Sequence, residues 1–169
     1  MPCYPLIPNT RSSSAALFAQ WVNRLNNEQL LAMSQQQLDE LFMSSPPGPI
    51  PNGEAQGTAI IAPGTTYSAD IAQLINVFAW QGKIFDAAHG TLVNRITPFG
   101  FNAIIADVYV APSWLDNKPC IVLDYSKTST LAHWIRDEIR EIAPNFYLGV
   151  VYWSKKRLID FSLDFSSSS

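Results

Sequence analysis

Two aspartates and a histidine, Asp107, Asp124 and His133, are the residues of this chain best placed by type to move a proton. Strand parity puts Asp107 on one face with Ile105 and Tyr109, and Asp124 on one face with Cys120 and Val122. A carboxylate on an apolar face loses hydration, which raises its pKa unless a cation or several donors compensate. That is one way to make a general acid or base. The same positions equally suit a plain structural role, capping a turn or pairing with an arginine.

His133 precedes Asp137 by four residues, and Asp137 precedes Arg140 by three. On a helix those spacings bring side chains together. A carboxylate beside an imidazole would orient it for proton transfer, whereas a solvated face would hold only weak ion pairs. Arg136 and Arg140 need partners if buried, and Asp107 or Asp124 would serve. Such pairing acts either as a register lock or as an anchor for a ligand carboxylate. Trp80, Lys83, Tyr109 and Tyr125 join the two arginines as candidate ligand contacts. Aromatic side chains with polar tips suit the wall of an apolar cavity, although core filling explains any single one of them.

Metal chemistry has little to work with. The chain has two histidines, His89 and His133, and no spaced His or Cys ligands of the zinc type; a site from both histidines and an aspartate stays open geometrically. There is no Gly-rich phosphate loop, no G-x-S-x-G elbow and no dinucleotide fingerprint, so no cofactor is expected. A net charge of -3 and a pI near 5.2 give no basic footprint for nucleic acid. No apolar run is long enough to span a membrane, and the first residues lack a secretory signal, so the expected location is cytoplasmic. Cys3 and Cys120 could pair, but Cys120 opens an apolar strand and reads first as a small buried hydrophobe.

The elements that must position these residues fall into two parts. Residues 1–52 read as an irregular arm, helices and a Pro-rich linker. A first amphipathic helix covers about 13–25, a short one 28–33, and Ser34 with Gln37 forms a capping box for a third holding Leu38, Leu41 and Phe42. Four prolines and two glycines between Ser44 and Gly53 end it. This region reads as an appendage outside the main core. Phe18 and Trp21 on its first helix would dock on a partner, or on a second copy to make a homodimer.

Residues 53–165 read as a β-rich ligand-binding domain, and 166–169 as a disordered tail. Strands are expected at 54–62, around 84–85, and at 91–97, 101–111, 119–125, 146–154 and 157–165. Helices are expected at 68–79 and 129–142, the latter carrying Arg136, Asp137, Glu138, Arg140 and Glu141. The last strand alternates Ile159, Phe161, Leu163 and Phe165 with Asp160, Ser162 and Asp164, which predicts one face on the core and one in water. Short turns between strands argue against a doubly wound sheet. The expected fold is α+β and β-rich: a curved antiparallel sheet or small lipocalin-like barrel with an inserted helix. A sheet rolled over the 68–79 helix is the alternative.

Several short segments resemble the small GXWXG-type proteins of bacteria and fungi. Gly57-Thr58 is followed by Trp80-Gln81-Gly82-Lys83-Ile84-Phe85, similar to that group's W-x-G-K-x-F run. Leu123-Asp124-Tyr125, Ile135-Arg136-Asp137 and Tyr147-Leu148-Gly149 are similar to its Y-D, I-x-D and L-G elements, with tyrosine and aspartate in reversed order at 124–125. The resemblance implies a compact β-rich domain and no particular activity.

Two functions compete on these grounds. One is binding of an apolar small molecule, fatty-acid-like or polyketide-like, with Arg136 or Arg140 meeting its polar end. The other is a cofactor-independent isomerase, cyclase or decarboxylase in the same cavity, with Asp107, Asp124 or His133 moving a proton and an arginine or Tyr125 stabilising negative charge.

Overall fold

The computed structural model describes residues 25–61, 83–94, 104–127 and 132–166. The helices expected at 13–25 and 68–79, with Trp80, lie outside these residues, apart from Leu25.

Eight strands close on themselves: β1 (Gly53–Ile60), β2 (Lys83–Asp86), β3 (Thr91–Asn94), β4 (Ile104–Pro112), β5 (Pro119–Asp124), β6 (Ile135–Ala143), β7 (Phe146–Trp153) and β8 (Lys156–Asp164). Each pairs antiparallel with the next, and β8 returns to β1 through pairs from Gln56–Asp164 to Ile60–Asp160. The fold is thus a closed antiparallel barrel, which leaves no sheet edge unpaired. Turn chemistry assists closure: Ser154 and Lys155 both have positive φ between β7 and β8, the twist that suits a two-residue hairpin.

The period of two sorts the side chains. Ala106, Val108, Ile121, Leu123, Ile135, Ile139, Tyr147, Val151, Ile159, Phe161 and Leu163 point into the barrel and form one core cluster. Phe85, Tyr147 and Phe165 meet edge to face at one end. The Tyr147 hydroxyl donates to the Pro49 carbonyl at that end.

A second cluster lies outside the barrel, under two helices. These are α1 (Asn27–Leu31) and α2 (Gln35–Ser44). Both start at capping boxes, Asn26 with Gln29 and Ser34 with Gln37, as the sequence predicts for α2. Leu30, Leu38, Leu41 and Phe42 cover Ile60, Cys120, Val122, Ile142, Phe146, Leu148 and Val150 on the outer wall. The segment expected to stand apart from the core therefore covers the outer wall, contributing Leu25, Leu30, Leu38, Leu41 and Phe42 to the second cluster.

This cover corrects two expectations. The face of β8 assigned to water is buried at Asp160 and Ser162, which bond to Gln35 and Asn27 from the helical segment. Of the stretch expected as a helix at 129–142, residues 129–131 lie outside the described residues, 132–134 form a turn and 135–142 belong to strand β6. That strand has the barrel interior on one side and helix α2 with the β4–β5 turn on the other, so both faces are buried. With both faces buried, apolar and charged residues no longer alternate simply. Ile135, Ile139 and Ile142 then mimic a helical stripe.

Candidate ligand site

Ile135 and Ile139 of β6 point inward, so strand parity places Asp137 between them inside the barrel. Lys83 opens β2, Asn94 closes β3 and Tyr125 follows β5, all at the end of the barrel where β3, β5 and β7 finish. Those four side chains meet. Lys83 Nζ donates to Tyr125 Oη at 2.6 Å and lies 3.0 Å from Asp137 Oδ2. Asn94 Nδ2 donates to Tyr125 Oη at 3.1 Å, and Tyr125 Oη donates to Asp137 Oδ2 at 3.2 Å. The Lys83 ammonium also sits 5.4 Å from the Tyr125 ring and 5.7 Å from that of Phe161.

The electrostatics follow from burial. Lys83 and Asp137 are 2% and 3% exposed, and charges so far from water persist only when paired. Burial pushes the Asp137 carboxyl above the usual carboxylate range, with Lys83 and the Tyr125 hydroxyl pulling the other way. Burial also raises the Tyr125 phenol well above its ordinary value, and the Asp137 charge adds to this. Tyr125 therefore stays protonated as a donor. Asp137 Oδ2 accepts two hydrogen bonds, while Asp137 Oδ1 is buried and accepts none from the described residues.

The structure brings together two of the sequence candidates, Lys83 and Tyr125. It places the others elsewhere. Asp107 and Tyr109 lie on the outer face of β4, with Lys127 Nζ at 3.5 Å from Asp107 and Tyr109 37% exposed. Asp124 is also on the outer face, taking hydrogen bonds from Tyr109 and the Ser126 amide. Partial burial would raise its pKa, but the bonds from Ser126 and Tyr109 outweigh it and hold the carboxyl below the usual range. That corrects the expectation of an apolar face raising it. His133 lies in the turn before β6 against the Trp134 ring. Its expected pairing with Asp137 fails because a strand sends Asp137 into the barrel, where Lys83 and Tyr125 hold it.

The arginines are the clearest correction. Arg140 is on the outer wall and uses all five N–H groups: Nε to Pro119 O, Nη1 to Phe42 O and Asp116, and Nη2 to Asp116 and Lys118 O. It locks α2 and the β4–β5 turn to β6 and has no donor left for a ligand. Arg136 bonds Glu138 and Pro112 O and stacks on Trp114. Glu138, fully buried, also accepts from Ser113 and the Trp114 amide. Neither arginine pairs with Asp107 or Asp124.

Asp137 and Asn94 are the site residues that the candidate set lacks. The Ile135-x-Asp137-x-Ile139 alternation marked Asp137 as inward, but only for a strand. Asn94 shares parity with Leu92 at the end of β3 and had no chemical signal of its own. Among the described residues no group of His, Cys, Asp and Glu is arranged to hold a metal. None of the helices described is long and apolar enough to cross a membrane.

Neither protein-family models nor curated proteins give a match to the chain. Among solved structures, the crystal structure of a protein from Thermomonospora curvata is similar with a TM-score of 0.55 and 14% identity, over 92% of this chain and 98% of that one. At that identity the likeness concerns the fold. A barrel of this kind is compatible with binding a small molecule.

Proposed function

We propose that the barrel binds an apolar small molecule, fatty-acid-like or polyketide-like, with its polar end at Lys83, Tyr125 and Asp137. One observation carries this reading: among the described residues, one compact polar cluster sits in an otherwise apolar barrel interior. A core built only for stability does better with apolar residues, because a buried ion pair recovers little more than its desolvation cost. The aromatic and aliphatic interior of Leu92, Val108, Ile121, Leu123 and Phe161 supplies the apolar contact. Native mass spectrometry of the purified protein, with solvent extraction of anything bound, is the test. Protein that is consistently empty and takes up no uncharged apolar probe would end this reading.

A second reading is favoured by the raised pKa of Asp137. A cofactor-independent isomerase, cyclase or decarboxylase would use Asp137 to move a proton and Lys83 to stabilise developing negative charge. A pH–rate profile on a substrate found by screening tests it. Activity unchanged in Asp137→Asn would remove this role.

A further inference from the structure

We infer that the polar end of the ligand is an uncharged hydrogen-bond donor, a hydroxyl above all, that donates to Asp137 Oδ1. This rests on the ligand reading above and narrows its chemistry. Within the Lys83–Tyr125–Asp137 group, the hydrogen bonds satisfy Tyr125 Oη and Asp137 Oδ2 and leave Asp137 Oδ1. Tyr125 Oη accepts from Lys83 and Asn94 and donates to Asp137 Oδ2, which fills a phenol's capacity. Asp137 Oδ2 takes Lys83 and Tyr125 together. Oδ1 of the same carboxylate, equally buried, accepts from none of the described residues. A buried acceptor left unsatisfied is costly, and more so when it carries charge.

Charge balance excludes the more familiar head group. Among the described residues the interior cluster holds one cation and one anion, Lys83 and Asp137, already paired. Arg136, Arg140 and Arg157 are committed on the outer wall to Glu138, Asp116 and the Asp39–Asp160 pair. A ligand carboxylate would bring a second negative charge beside Asp137 with no second cation among the described residues to meet it, in surroundings that already disfavour the first. A hydroxyl adds no charge and offers the one thing Oδ1 lacks, a proton to share.

The test compares decanol, decanoate and methyl decanoate, which share an apolar chain and differ at the head, by displacement of Nile red from the full-length protein. Decanol is expected to bind about tenfold or more tightly than either of the others, the usual worth of one hydrogen bond to a charged group. Decanoate binding as well as decanol would overturn the inference and leave the ligand reading standing. Methyl decanoate matching decanol would overturn it as well, since the ester cannot donate. Failure of all three to bind would overturn the ligand reading itself. The wild-type panel needs no variant to fold. The double variant Lys83→Met/Asp137→Leu adds a second check: it should still take up Nile red and lose the preference for the alcohol.

Discussion

Lys83 and Asp137 face each other across the barrel, Nζ to Oδ2 at 3.0 Å, from strands four places apart in a ring of eight. They are as far apart around the wall as two strands can be. Their pairing ties β2, a four-residue strand, to β6, which is buried on both faces. The Tyr125 hydroxyl bridges them from just beyond β5. The arrangement fixes one polar cluster among the packed apolar side chains of the barrel interior.

Breaking that pair from one side should cost more than removing it whole. Lys83→Met leaves Asp137 buried and unpaired, and is expected to destabilise the fold by about 3–5 kcal/mol. Asp137→Leu should do the same to Lys83. The double variant should be less destabilised than the sum of the singles, and near the stability of either single or above it. Urea unfolding of the four proteins measures the cycle. Simple additivity would show that the pair is not coupled.

The outer wall has its own ion pair, and it predicts acid sensitivity. The Arg140 guanidinium, bonded to both oxygens of Asp116, holds that carboxyl below the usual carboxylate range against the effect of burial. An aspartate with a depressed folded pKa adds stability above its unfolded value of about 3.9, and loses it as pH falls through the folded value. Asp137, raised by burial, has the opposite sign and does not add to acid unfolding. Asp116→Asn should therefore lower stability at neutral pH and flatten the loss below about pH 4. Unfolding midpoints measured across that range decide it; an unchanged acid slope would rule out Asp116 as its source.

Gly149 on β7 is a packing constraint inside the barrel. A Cβ built there would overlap the Phe161 ring, across the β7–β8 pair. Gly149→Ala should cost about 1–3 kcal/mol through overpacking. Adding Phe161→Leu should return part of that loss by making room, a non-additivity visible in thermal or urea unfolding. An alanine tolerated without cost would mean that the ring has somewhere else to go.

The strands that sequence periodicity located best are those with one plain interior face. β8 was legible from Ile159, Phe161, Leu163 and Phe165, and the α2 start from Ser34 and Gln37, because each signal is local. β6 was not legible: the outer neighbours of Arg136, Glu138 and Arg140 are Trp114, Ser113, Asp116 and Phe42, all distant in sequence. Sequence spacing could name Lys83 and Tyr125 as polar groups near aromatics. It could not choose Asp137 over Asp107 and Asp124, because that choice depends on which face of a strand becomes the inside of a closed ring.

Cys120 offers a direct reading of how firmly the helices hold the wall. It is a free thiol, fully buried on the outer face of β5 in the cluster that α2 covers, and burial pushes its pKa up to about 12. A thiol that is neither exposed nor ionised does not react with disulfide reagents until something uncovers it. In a Cys3→Ser background, labelling of Cys120 at neutral pH should therefore report opening of α2 or of the whole fold. Leu38→Ala removes a side chain with no solvent exposure from that interface and should cost about 2–5 kcal/mol. If α2 lifts locally, labelling should accelerate in this variant under conditions where the barrel's tryptophan fluorescence stays native. Labelling that tracks only global unfolding would instead make helices and barrel one cooperative unit, as expected if the Arg140 lock to Phe42 and Asp116 dominates the attachment.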